Sequence, residues 1–256
     1  MSLLVLPHTH TREYQAIWSE AVRRGWKTLR FDPDKTDPKE LEGHGVIRYY
    51  GNVLHKTRIE KFLPIEFFPV SDTLLHDLDI SWTGRKIKMI PFKHVDSPLK
   101  KDTFIKCVDV KWLEAKVYKE GDIITDKCQG MLPDDRVYVQ EPFPFIDEVR
   151  CFVIGRKVVT ASYYRKNKEF CPENLPIDYT TTYLNRTEFF MKSNTDFLTA
   201  KYLGCNFPNG VVLDYGLGEM DNRWVLIEAN EAWASGRYDC DPEQMFNTII
   251  ESQKNI

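Results

Sequence analysis

Residues 211–233 read VVLDYGLGEMDNRWVLIEANEAW. Val211, Val212, Leu213, Asp214 and Tyr215 form a β-branched, apolar run that stops at Gly216. A second run with the same character extends from Arg223 to Asn230, and the loop between them is rich in Gly, Asp and Asn. Two such runs around a loop of turn-forming residues predict a β-hairpin. Alternate side chains of a strand share a face, so Trp224, Leu226, Glu228 and Asn230 point one way. A turn centred near Glu219 and Met220 sets Asp214 opposite Leu226 and diagonal to Glu228, about 7 Å away. Asp214, Glu228 and Asn230 then converge on one small volume.

Two carboxylates and an amide oxygen are hard donors. They suit Mg²⁺, which takes one or two protein carboxylates and completes its octahedron with water and phosphate oxygens. The same residues also suit a hairpin whose polar groups simply meet solvent at the strand ends, as most Asp, Glu and Asn do. The hairpin pattern alone leaves both readings open.

Upstream, residues 103–108 (TFIKCV) form a β-run presenting Lys106, either to a ligand or to solvent on an edge strand. Residues 137–142 (VYVQEP) form another run, which Pro142 keeps from continuing into a ladder. Residues 148–154 and 157–164 predict a second hairpin turning at Gly155 and Arg156. Arg150 there shares a face with Glu148 and Phe152, where it either meets an oxyanion or pairs with Glu148 or Glu141. The stretch 167–194 is polar, carries Pro172 and Pro176, and reads as a loop. Residues 195–203 and 242–254 read as helices.

The first 90 residues have a different grammar. Leu3 to Leu6 form an apolar strand. Residues 11–25 place Tyr14, Ile17, Trp18, Ala21 and Val22 at helical spacing before Gly25, and residues 26–31 form a second strand. Strand, helix, strand at this length predicts a βαβ unit and a parallel sheet. A third strand is expected at 45–51 and a short helix at 57–63. No glycine-rich dinucleotide fingerprint occurs there. Arg48 either faces a substrate pocket or lies exposed at a strand end. The domain boundary is placed near residue 90, giving units 1–90 and 91–256.

The chain has 256 residues, with 42% hydrophobic and 29% charged, as expected of a folded globular protein. Its net charge of −3 argues against a nucleic-acid-coating surface. No apolar run approaches the roughly 18 residues of a membrane span, and the N-terminus lacks the pattern of a secretory signal. The six cysteines include no CxxC pair and read as reduced thiols in a cytoplasmic protein. All six histidines lie in the first 94 residues, so Ser-His or Cys-His nucleophilic catalysis is absent from the later half. His8 and His10, without further ligands, read as loop residues.

LDYG followed by a strand ending in IEAN resembles the metal-binding end of the ATP-grasp superfamily. Residues 137–165 also resemble ATP-grasp ligases, particularly those that add amino acids to peptide or protein ends. The similarity is clear from about residue 103 to 240 and weak before residue 91. The resemblance implies a mixed α/β (α+β) protein with the ATP-grasp fold. A small N-terminal α/β domain would precede a two-lobed ATP-grasp domain with antiparallel sheets. It also implies that Asp214, Glu228 and Asn230 hold the Mg²⁺ of Mg·ATP, and that Lys106 reaches the nucleotide phosphates, helped by Lys111. Backbone groups at Gln140 and Glu141 would read the adenine, and Arg150 and Arg165 would meet the phosphate or acyl phosphate. Lys106 and Arg150 are the implied catalytic pair.

The chain departs from many relatives in one respect. They follow the lysine with a glycine-rich loop, whereas this chain has no glycine until Gly121. Either side chains such as Lys111 replace the backbone cradle, or phosphate capture is weaker. The implied activity is an ADP-forming carboxylate–amine ligase passing through an acyl phosphate. Its partners would be ATP and small-molecule, peptide or protein carboxylates and amines. The rivals are phosphoryl transfer to another acceptor and a non-catalytic nucleotide-binding or interaction module.

Overall fold

A computed structural model of the chain describes residues 1–32, 35–53, 56–108, 112–128, 130–155, 157–175 and 208–256. In chain order its main elements begin with β1 (Ser2–Pro7), α1 (Arg12–Arg23), β2 (Lys27–Phe31), β3 (Val46–Tyr49), α2 (Lys56–Phe62) and β4 (Ile65–Phe67). Two single-turn helices follow, α3 (Leu74–Asp77) and α4 (Ile80–Thr83), then β5 (Ile87–Pro91), β6 (Thr103–Cys107), β7 (Lys116–Tyr118) and β8 (Arg136–Gln140). The last elements are β9 (Phe145–Ile154), β10 (Lys157–Lys166), β11 (Glu169–Leu175), β12 (Gly210–Gly218), β13 (Trp224–Glu231), α5 (Pro242–Glu251) and β14 (Gln253–Asn255).

These elements fall into two compact units, each discontinuous in sequence. One comprises residues 1–70, 147–215 and 228–256, the other residues 71–146 and 216–227.

In the first unit β1 runs parallel to both β2 and β3, in the order β2-β1-β3, as the βαβ pattern predicts. Leu3, Leu4, Val5 and Leu6 are all buried, as befits a central parallel strand covered on both faces. Thr11 caps α1 by accepting from the Tyr14 N–H. At the other end Gly25, at φ +73°, donates to Val22 O while Trp26 donates to Ala21 O, closing the helix in a Schellman motif. The core of this unit gathers β1 with Ile17, Tyr49, Phe67, Trp233, Phe246 and Ile249. A five-stranded sheet follows the order β11-β10-β9-β12-β13, with β9–β10 and β10–β11 antiparallel.

In the second unit β5-β8-β6-β7 form an antiparallel sheet over a core of Leu99, Ile105, Leu113, Ile124 and Val137. Ile87–Pro91, which sequence pattern did not single out among its lysines, pairs along β8.

Two expectations need correction. Residues 169–175, read as part of a loop, form β11 at the edge of its sheet. An edge strand tolerates Pro172 and polar side chains on both faces, and that masked it. The C-terminal helix, expected to reach Lys254, stops at Glu251; residues 253–255 pair with β4 instead. The predicted helix at 195–203 and most of the loop before it lie outside the described residues.

Glu20 on α1 is 6% exposed and holds two arginines. It accepts from Arg23 at 2.7 and 2.8 Å and from Arg24 at 2.5 Å, while Arg24 reaches Asn247 and Glu243 O on α5. The Arg23 hydrogen bond, more than the opposing burial, holds the Glu20 carboxyl below its ordinary value of 4.5. A carboxyl depressed by folding contributes stability above its unfolded pKa and loses it as pH falls. Glu20→Gln is expected to lower unfolding free energy at pH 7 by about 1–3 kcal/mol. The difference from wild type should shrink on acidification below 4.5, as read by denaturant titrations across that range.

Candidate functional site

The first unit concentrates charge where β9, β12 and β13 lie side by side. Asp214 is 1% exposed, on a strand whose residues are all buried. A carboxylate in that position needs a partner. Arg150, on the adjacent β9, supplies it: Nε donates to Oδ1 at 2.9 Å and Nη2 to Oδ2 at 2.7 Å. Its remaining terminal nitrogen, Nη1, donates to Gly236 O at 3.1 Å. The Arg150 pairing thus falls on Asp214, while Glu148 accepts from Arg165 at 3.0 Å.

Asp214, Glu228 and Asn230 do meet. The Asn230 amide donates to Glu228 Oε1 at 3.0 Å and to Asp214 Oδ2 at 3.3 Å. Burial pushes the Asp214 carboxyl up to about 6; Arg150 pulls it down and the Glu228 carboxylate pushes it up. Burial by itself would lower the Arg150 pKa, but charge and hydrogen bonding from Asp214 reverse this and raise it.

Two tyrosines flank the arginine. Tyr238 stacks on Tyr164 with ring centroids 4.9 Å apart, and the Arg150 guanidinium lies 4.8 Å from the Tyr238 centroid. Tyr238 has φ +51°, a left-handed backbone that a bulky residue adopts at a cost. The neighbouring Asp239 pins it there, its N–H donating to Ser162 Oγ and its carboxylate accepting from Asn174 N. Burial raises the Tyr164 pKa. Gly236 is required beside the arginine, because a Cβ there would stand 2.9 Å from Glu13 Oε1. Sequence reasoning missed both tyrosines; only their sequence proximity to Arg165 and Arg237 pointed to them.

In the second unit the register pairs Lys106 with Tyr138 and Phe104 with Gln140, so Lys106 and Gln140 lie on one face of the sheet. Gln140 accepts from Arg85 Nε at 3.1 Å. Arg85 is 4% exposed and also donates to Thr83 O, Leu226 O and Ile227 O. In sequence it was hidden among surface lysines. Glu141 is exposed and pairs with Lys101 at 2.9 Å. Lys111 lies outside the described residues.

The donors at Asp214, Glu228 and Asn230 are oxygens and one amide, and no group of three or more His, Cys, Asp or Glu gathers among the described residues. Two carboxylates, with Arg150 cancelling one charge, leave a net negative site. That set fits Mg²⁺ arriving with phosphate oxygens better than a metal caged by protein alone. Glu228 is the more accessible of the two carboxylates.

A family model for the ATP-grasp domain, the second family of its clade, matches residues 82–248. Several solved structures share the fold over nearly the whole chain. The D-alanine–D-alanine ligase of Bacillus anthracis, complexed with ATP, matches with TM-score 0.57 at 12% identity, covering 98% of this chain and 97% of that one. The D-cycloserine synthetase DcsG matches with TM-score 0.60 at 9% identity, covering 98% and 99%. The macrocyclase MdnC, bound with precursor peptide MdnA from Microcystis aeruginosa MRC, matches with TM-score 0.54 at 13% identity, covering 98% and 99%. At these identities the likeness is one of fold: a mixed α/β ATP-grasp architecture with antiparallel sheets. No curated protein matches in sequence.

Removing either partner of the Arg150–Asp214 pair strands a buried charge. Arg150→Ala and Asp214→Ala are each expected to cost about 3–5 kcal/mol in unfolding free energy, whereas the apolar pair Arg150→Met with Asp214→Leu costs less than the two losses summed. Denaturant titration of the three variants checks this.

Proposed function

The chain belongs to the ATP-grasp domain family, and we propose that it is an ATP- and Mg²⁺-dependent carboxylate–amine ligase. The observation that carries this reading is the convergence of Arg150, Asp214, Glu228 and Asn230. Glu228, Asp214 and the Asn230 amide would hold Mg²⁺, which when bound offsets the charge of the nucleotide's phosphates. In the second unit, Lys106 takes up phosphate charge and the backbone at Gln140 and Glu141 reads the adenine; Lys111 assists Lys106.

Arg150 stabilises the phosphoryl group as it passes to a substrate carboxylate. Its fork is already oriented by Asp214 and Gly236 O, so no rotamer freedom is lost at the moment of reaction. Arg165, exposed on the return strand, takes a peripheral place. The carboxylate oxygen attacks the γ-phosphorus and ADP leaves. An amine then attacks the acyl carbon, an amide forms, and inorganic phosphate and a proton depart. Positioning and charge stabilisation suffice, so no protein nucleophile is used.

One observation favours a second reading, a nucleotide-binding module without catalysis: both Asp214 oxygens are engaged by Arg150. Calorimetric titration separates the readings. ATP is expected to bind only with Mg²⁺, and Glu228→Ala to weaken it at least about tenfold, the loss of a charged contact. The ligase reading further requires ADP release when pools of carboxylates and amines are supplied. Binding without release with any pool leaves the module; no binding in either protein overturns both.

A further inference from the structure

Within the first unit, the carboxyl ends of β1 and β2 open onto a groove of about 530 Å³, lined by His10, Thr11, Arg12, Gln15, Trp18 and Arg30. In open α/β sheets this end of the strands is where ligands bind. The volume lies in the range of ligand sites. Among the described residues, two arginines and no carboxylate contribute to the lining.

The cationic side is built in place. Arg30 Nη1 donates to Pro7 O at 3.1 Å and to Thr9 O at 3.3 Å, anchoring the guanidinium on the β1–α1 connection. Trp18, 39% exposed, donates from Nε1 to Thr28 Oγ1 at 2.9 Å, so its ring is held with part of its surface in solvent. The acid next in sequence, Glu13, is turned to the segment around Gly236, and Asp32 beyond β2 is engaged by Lys35. The groove therefore combines a fixed cation, a second cation on α1 and a flat apolar surface.

We propose that this groove binds an acidic peptide segment in which carboxylates flank an apolar or aromatic side chain. Arg12 and Arg30 take the carboxylates, whose planar geometry their forks match. Trp18 takes the apolar side chain, and the Gln15 amide is placed for the peptide backbone. An extended chain fits better than a small molecule because His10, Thr11, Arg12 and Gln15 are exposed. A small ligand would keep much of its surface in water there, whereas ligand pockets bury most of theirs.

The binding needs no nucleotide, so its test is independent of the ligase reading. The probe is a fluorescently labelled hexapeptide with four Glu or Asp residues around one Phe, titrated into the whole chain and read by anisotropy. Saturable binding is expected that weakens as salt rises, because exposed charges are screened. Arg12→Glu should weaken it at least about tenfold, a reversed contact charge, with the circular dichroism spectrum unchanged. Trp18→Ala should weaken it severalfold, and a Lys-rich hexapeptide should not bind. Absence of binding, or equal binding by Arg12→Glu, overturns the proposal. So does displacement by free glutarate as effective as that by unlabelled peptide, which would make the occupant a small dicarboxylate.

Discussion

The ion pair between Arg150 and Asp214 is the constraint on which the charged end of the first unit depends. Asp214 sits on a strand buried along its whole length, so its carboxylate loses hydration that only a hydrogen-bonded cation can replace. Arg150 replaces it with two parallel bonds and spends its last terminal nitrogen on the Gly236 carbonyl. The pair thereby ties β9 to β12 and to the segment after β13. Glu228 is left as the uncompensated charge, bridged to Asp214 through the Asn230 amide. A site made this way repels a further anion and attracts a divalent cation.

The aromatic surroundings follow from the same pair. Arg150 presents a guanidinium face to Tyr238, which lies flat on Tyr164. Holding Tyr238 in left-handed backbone is costly, and the bonds of Asp239 to Ser162 and Asn174 meet that cost. Gly236 completes the arrangement, because any side chain there would collide with Glu13. Helix α1 is thus held against this segment on one side and through Glu20 and Arg24 against α5 on another.

Much of this was legible in the sequence where local rules suffice. Apolar runs with period-two or helical spacing marked β1, α1, β2, β6 and the two long hairpins, and Gly25 marked a helix end. The meeting of Asp214, Glu228 and Asn230 was legible because strand alternation and a short turn leave few alternatives. The misses have physical causes too. Edge strand β11 carries Pro172 and polar residues on both faces, so it has no alternation to read. The Arg150 partner was sought on its own hairpin, at Glu148, because cross-strand neighbours in sequence were the visible candidates.

What the sequence determined by itself is the inventory: strands, helices, and hard oxygen donors collected at the end of one hairpin. Backbone periodicity and turn chemistry act over a few residues and need no knowledge of the rest of the chain. Only the tertiary structure decided how these were used. The adjacency of β9 and β12 joins residues 64 positions apart and turns an expected oxyanion-binding arginine into the counter-ion of a buried aspartate. The interleaving of the chain between two units, and the buried Arg85 beneath Gln140, likewise arise from contacts between distant segments. Burial is a property of the assembled neighbourhood, and burial is what gives each of these charges its required partner.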